Sequence, residues 1–132
     1  MAGWGYVYLD IRAPEEYKRG HPVGAFNVPF KFLTFSGHFR DNARFIEVVE
    51  KLFKKDQMIL VIGKVGQRSL EAAEAMEAAG FENIAELRPG YLGLVNAEGT
   101  YDENGWSTLG LPSETVTEDA SYKEILGRLG LE

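Results

Sequence analysis

The chain contains no cysteine. That excludes disulfides, a thiolate zinc site and any cysteine persulfide intermediate, and it accords with a reducing compartment. Histidine is nearly absent too. His21 and His38 are too few for a histidine-based metal centre, so neither a metal nor a cofactor is expected. No apolar run approaches the roughly 18 residues that a membrane span needs. No charged-then-apolar leader is visible. The expectation is a soluble protein of the cytoplasm or another reducing compartment. Cations are the minority: 14 Lys and Arg against 20 Asp and Glu leave a net charge of −6. A nucleic-acid partner would call for a basic stripe, so none is expected.

What is present suffices for one domain. An apolar fraction of 45% over 132 residues can bury a core of its own. Tyr6 to Leu9 reads as a short strand ending at Asp10. Pro14, with Glu15 and Glu16 behind it, opens a short helix that stops by Gly20. Ala25 to Val28 is a second strand, closed by Pro29. Lys31 to Arg40 reads as loop with apolar anchors. From Asn42 to Lys55, the residues Phe45, Ile46, Val49, Leu52 and Phe53 make a helical stripe that Asp41 or Asn42 can cap. Met58 to Ile62 is an apolar run without alternation, as in a strand covered on both faces. Residues 67–79 form an alanine-rich helix closed by Gly80, and Ile84 to Leu87 a further strand. Residues 95–105 are polar and glycine-rich, with a turn signal at Asn104-Gly105, and read as a surface loop or small hairpin. Tyr122, Ile125, Leu126 and Leu129 mark a last helix, capped by Thr117 or Ser121 and ended by Gly130. Strands alternating with helices predict an α/β fold with a mostly parallel sheet flanked by helices in three layers.

The chemistry concentrates in Gly63-Lys64-Val65-Gly66-Gln67-Arg68-Ser69. A buried strand runs through this glycine-bearing loop into a helix. That arrangement turns backbone N–H groups and the positive end of the helix dipole toward one spot, which suits an anion. Lys64 and Arg68 stand at the same end, where the dipole opposes cations by about 0.3–1 kcal/mol. Something negative should offset this: a bound sulfate, thiosulfate or phosphate, or an internal carboxylate from Asp10, Glu15 or Glu16. Ser69 is the loop's one hydroxyl. With no base near it in sequence, it reads as a first-turn cap rather than a nucleophile. Asp10 and Arg12 flank a strand end, the edge where sites gather in open α/β sheets. An ion pair tying strand to helix is the plainer reading. His21 reads as a structural residue before Pro22. Trp4, Tyr91, Tyr101 and Trp106 are candidates for the mouth of a cleft, with Trp106 the better core anchor.

The loop resembles the C-x-x-G-x-R-S active-site loop of rhodanese-like sulfurtransferase domains. Four further stretches resemble that family in the same order. Asp10-Ile11-Arg12 through Glu16-Tyr17 is similar to D-x-R-x-x-x-E-[FY]. Gly20-His21-Pro22-Val23-Gly24-Ala25-Phe26-Asn27-Val28-Pro29 is similar to G-H-I-x-G-A-x-N-[IV]-P. Ala79-Gly80-Phe81 is similar to A-G-F, and Gly110-Leu111-Pro112 matches a common closing motif. The likeness spans roughly residues 6–112 and implies the rhodanese-like three-layer fold. It also implies that the family's catalytic cysteine falls at Gly63. Only four residues separate Gly63 from Arg68; related phosphatases on this fold use a loop one residue longer, so the likeness is to the sulfur-handling branch. The family's usual opening strand and helix have no counterpart before Asp10, whereas Val116 to Leu126 reads much like them. Residues 1–112 are therefore expected to form the domain. Residues 113–132 form a helical segment that either completes it in permuted or swapped order or lies outside as a plain helix.

A sulfurtransferase needs a thiolate, and Gly63 has no side chain. The expected function is a catalytically inactive rhodanese-like binding or regulatory module. Residues 63–69 are its anion or partner site and Asp10 and Arg12 its supports, with a small anion or a protein as partner. Two alternatives stand beside it. One is a thiosulfate sulfurtransferase represented by a variant lacking its cysteine. The other is a scaffold domain with a vestigial loop.

Overall fold

The computed structural model describes residues 6–64, 66–87, 89–95, 97–103, 105–115 and 120–131, with residues 66, 94, 95 and 101–103 described by their backbone alone. In chain order the elements are β1 (Tyr6–Asp10), α1 (Pro14–Arg19), β2 (His21–Pro22), β3 (Phe26–Asn27), β4 (Lys31–Leu33), β5 (Phe39–Asp41), α2 (Phe45–Leu52) and β6 (Met58–Ile62). They continue with α3 (Gly66–Ala78), β7 (Asn83–Leu87), β8 (Leu94–Val95), β9 (Tyr101–Glu103), β10 (Ser113–Glu114) and α4 (Tyr122–Leu129). The central sheet is parallel, in the order β3-β1-β6-β7.

Strand alternation sorts the apolar residues onto two faces. On one face Val7 and Leu9 of β1, Ile59 and Val61 of β6 and Ile84 of β7 join a core with Val48 and Val49 of α2, Met76 of α3 and Ile125 of α4. On the other, Tyr8, Leu60, Ile62 and Leu87 pack against Tyr91 and Trp106. The register brings Leu9 beside Val61 and Ile62 beside Leu87, so each face is continuous across strands. This is why the Met58–Ile62 run lacks alternation: both of its faces are covered. Trp106 anchors the second cluster. Its indole N–H donates to the Pro112 carbonyl at 2.8 Å, and its ring meets Tyr8 edge-on at 5.3 Å.

Two local expectations change. Residues 31–41 are a hairpin rather than a loop, with β4 and β5 antiparallel. Thr34 closes the turn: its N–H and its hydroxyl both donate to the His38 carbonyl, at 2.8 and 2.9 Å, and Gly37 takes φ 83°. Strands of three residues are too short to show a period. The second helix spans 45–52 rather than 42–55. Asn42 spends its backbone and side-chain oxygens on the N–H groups of Phe45 and Arg44, so the helix begins after it. At the other end Phe53 leaves the helix in an extended conformation to bury its ring edge-on against Phe26. Of the two readings of 95–105, surface loop or small hairpin, the antiparallel pair β8–β9 agrees with the hairpin; Asn104, of the expected turn, lies outside the described residues.

The tail helix packs within the chain. Ile125 is fully buried and Tyr122 nearly so. The Ala120 carbonyl accepts from the Asn27 N–H at 2.8 Å, and Asn42 Nδ2 donates to the Tyr122 hydroxyl at 3.1 Å. Ser121 caps the helix, and Gly130 ends it in the left-handed conformation. Thr117, the other named cap, lies outside the described residues together with the rest of 116–119. Among the described residues no helix is long and apolar enough to cross a membrane.

Candidate functional site

The loop after β6 lies at the carboxyl edge of the sheet, between two segments that the fold brings against it. The first is the turn after β7. The Tyr91 N–H donates to the Gly63 carbonyl at 2.7 Å. Gly90, at φ 70°, approaches so closely that a Cβ there would run into the carbonyls of Gly63 and Lys64. Glycine at 90 is thus required both by its left-handed backbone and by space. Sequence reading missed this clamp. The Pro89-Gly90 pair signals a turn, but nothing in it says which loop the turn will meet.

The second segment is α1. Arg68, in the first turns of α3, donates from Nη1 and Nη2 to the two carboxylate oxygens of Glu16, at 2.9 and 3.0 Å. Its guanidinium also lies 4.5 Å from the centroid of the Phe39 ring on β5. Of the three carboxylates named as candidates, Glu16 is the partner. Asp10 is taken by Arg12, and Glu15 is exposed. Glu16 also accepts from the Ala13 N–H at 2.9 Å and so caps α1. Burial pushes its carboxyl up. The Arg68 hydrogen bonds and charge, the Ala13 N–H and Arg12 outweigh this and hold it below the usual glutamate range.

Asp10 and Arg12 form a buried bidentate pair, with Nη2 to Oδ2 at 2.7 Å. Arg12 donates onward to the Gly20 carbonyl at 2.6 Å and stacks 4.3 Å from the Tyr91 ring centroid. Every strong partner of this arginine is internal, so its role is to tie β1, α1 and the β7 turn together. His21 is fully buried, with Nδ1 2.7 Å from the Tyr17 carbonyl and its ring stacked on Tyr17 at 3.6 Å. It too is structural. Burial and the charges of Asp10 and Glu114 raise the Tyr17 phenol, whose hydroxyl donates to the Ala25 carbonyl at 2.5 Å.

Gly63 is buried and has no positive φ. A Cβ built on it would sit 3.2 Å from the Ser69 Cβ and 3.4 Å from both Ile11 Cδ1 and the Ser69 nitrogen. The Ser69 side chain would have to give by a few tenths of an ångström to admit a Cβ here. The backbone does not demand glycine here, in contrast with Gly90. Ser69 is fully buried, which removes it as a nucleophile. Lys64 is exposed and makes no ion pair among the described residues. Val65 and Trp4 lie outside the described residues, as does the Tyr101 side chain. Of the aromatic residues expected at a cleft mouth, Tyr91 and Trp106 are both buried in the core. Among the described residues no cluster of His, Asp and Glu could hold a metal.

An open parallel sheet flanked by helices, with a glycine-bearing strand-to-helix loop at its carboxyl edge, defines an α/β domain of the kind whose sites gather at that edge. Its family is the rhodanese-like domain, to which the chain belongs: that family's model matches residues 1–97. Senescence-associated protein DIN1 of Raphanus sativus is 36% identical over 92 residues, covering 70% of this chain and 50% of that protein. Rhodanese-like domain-containing protein 15, chloroplastic, of Arabidopsis thaliana is 36% identical over 98 residues, 74% of this chain and 53% of that protein. The chain thus spans about half the length of these two. Thiosulfate sulfurtransferase 16, chloroplastic, of the same plant is 34% identical over 110 residues, 83% of this chain and 81% of that one. Among solved structures, Rv0390 of M. tuberculosis superposes with a TM-score of 0.68 at 24% identity, covering 85% of this chain and 86% of that chain. A rhodanese with anions from E. coli gives 0.52 at 22%, covering 84% and 99%. These two show the fold. The expected cytoplasmic location is corrected by the relatives' names: several are called chloroplastic, and one, Protein HIGH ARSENIC CONTENT 1, mitochondrial. The absence of cysteine that suggested a reducing cytosol carries no address; it removes one chemistry and nothing more.

Proposed function

We propose that the chain is a rhodanese-like module without sulfurtransferase activity, a binding or regulatory domain whose loop 63–69 receives a small anion (sulfate, thiosulfate or phosphate) or a partner protein. The observation that carries this reading is Gly63 itself. It is a glycine at the nucleophile's place, in a chain without cysteine, where the backbone would have accepted a side chain. The loop stands at the start of a 13-residue helix, whose dipole favours an anion. With Arg68 committed to Glu16, Lys64 is the loop's available cation. The E. coli rhodanese named for its anions supports this reading. A second reading, a sulfurtransferase represented here by a variant that lacks its cysteine, is favoured by the same permissive backbone at Gly63 and by a relative named for that activity. The relatives' names make a plastid the compartment to test first.

The test is a thiosulfate-to-cyanide sulfur transfer assay on this chain and on Gly63→Cys, with amide shifts of residues 63–69 followed on adding sulfate or thiosulfate. The expected result is no turnover by the chain and saturable shifts in the loop. Turnover by the unsubstituted chain overturns the reading. Absence of shifts at any anion concentration removes the anion and leaves a protein partner or a scaffold.

A further inference from the structure

Three stretches of the chain carry no charged residue, 22–30, 89–97 and 104–113, and hydrogen bonds bring their turns together. The Val23 N–H donates to the Pro112 carbonyl at 3.1 Å, beside the β2–β10 pair. The N–H groups of Trp106 and Ser107 donate to the carbonyls of Gly90 and Tyr91, at 3.1 and 2.9 Å. Each stretch leaves large apolar side chains in water: Val23 is 47% exposed, Leu92 42%, Leu109 58% and Leu111 40%. Thr108, Pro112 and Ser113 are exposed beside them and add no charge. Glu114, which ends the last stretch, is committed within the chain. Its carboxylate accepts from the Gly24 N–H at 2.9 Å and faces the His21 ring at 3.5 Å. Apolar side chains exposed together in this way mark a contact surface.

We propose that this charge-free face, centred on Val23, Leu92, Leu109 and Leu111, is a two-fold contact with a second copy of the chain. The occupant follows from charge. Each copy carries −6, so two copies repel wherever their charged surfaces approach. In a two-fold contact the same patch serves both partners, and a residue near the axis meets its own counterpart. A charged side chain there would meet a like charge; an apolar face without charge is complementary to itself. A strongly acidic or basic partner would find no counter-charge in it. The exposed Leu33, Phe35 and Phe39 of the β4–β5 hairpin differ in this respect, because they stand among Lys31, Arg40 and Asp41. The turn 89–93 also holds the Gly63 carbonyl through Tyr91, so the contact places the second copy behind the clamp of loop 63–69. It does not depend on what that loop binds.

The test is sedimentation of the chain over roughly 10 µM to 1 mM, the range in which a small interface assembles. A monomer–dimer equilibrium is expected. Leu109→Asp combined with Leu111→Asp sets like charges against each other across the axis and should weaken it at least about tenfold. Phe35→Asp, at the hairpin tip, should leave it unchanged. Added salt should leave it unchanged or strengthen it, because salt screens the repulsion between the copies. Amide shifts of the unsubstituted chain on dilution should be confined to 23–24, 92–93 and 105–111, a readout that needs no variant to fold. A chain monomeric at every concentration overturns the proposal. So does a dimer indifferent to the leucine substitutions, one weakened by Phe35→Asp, one dissociated by salt, or dilution shifts located in the hairpin. Neutral phosphatidylcholine vesicles that shift the same amides in a chain that stays monomeric would assign the face to lipid and overturn it as well.

Discussion

Arg68 and Glu16 are 52 positions apart in the chain and meet through two parallel hydrogen bonds of 2.9 and 3.0 Å. The pair is only partly shielded, with side-chain exposures of 13% and 17%. It joins the loop helix to α1 and cancels the charge that would otherwise have been the loop's strongest anion ligand. Bidentate geometry suits arginine, and lysine could not reproduce it.

Glu16→Gln should therefore have two effects of opposite kind. Stability should fall by about 1–3 kcal/mol, because a largely buried guanidinium loses its charged partner; the residual exposure keeps the loss below the about 3–5 kcal/mol of a fully buried pair. Sulfate affinity at the loop should rise, because Arg68 is released toward it. Chemical denaturation and an anion titration read the two effects. Unchanged stability would show that the pair contributes nothing.

The same carboxylate sets a pH dependence. Its folded-state value lies below the ordinary 4.5, so the unfolded chain binds the proton more readily. The pair's contribution is complete above about 4.5 and is lost as pH falls from there through the lower folded value. The stability difference between the chain and Glu16→Gln should shrink over that acidic range and stay constant near neutrality. A difference that grows on acidification contradicts the assignment.

Two glycines of the site should respond differently to alanine. At Gly63 the new Cβ meets side-chain and backbone atoms at 3.2–3.4 Å, and Gly63→Ala should cost about 1 kcal/mol or less. At Gly90 the φ of 70° and the facing carbonyls should make Gly90→Ala cost at least about 2 kcal/mol. Thermal melts of the two variants suffice. Similar losses would mean that Gly63 is constrained after all. If Gly63 is the tolerant position, Gly63→Cys should fold and react with a thiol reagent.

The tail can be tested through Ile125, which is fully buried in the main core. Ile125→Ala should cost about 2–4 kcal/mol by cavity formation. A helix lying outside the domain would lose less than about 0.5 kcal/mol, as surface substitutions do.

Much of the architecture was legible along the chain. The strands Tyr6–Asp10, Met58–Ile62 and Asn83–Leu87, the helix over 66–78 and the capped tail helix all announce themselves by period, capping residue or terminating glycine. The hairpin at 31–41 does not, because its pairing depends on residues six to ten positions apart and its strands are too short for a pattern. The helix at 45–52 was overread because Phe53 belongs to the apolar stripe, yet buries itself by leaving the helix.

For the site the division is sharper. Sequence alone determined that the loop has no cysteine, that it sits at a strand-to-helix junction, and that its arginine needed a negative partner. Those properties are local, set by residue type and by neighbours within a few positions. Which carboxylate answers Arg68, and that Gly90 closes over Gly63, were decided only by the tertiary structure. Each is a contact between segments far apart in sequence, and such contacts exist only once the sheet has fixed the order and register of its strands.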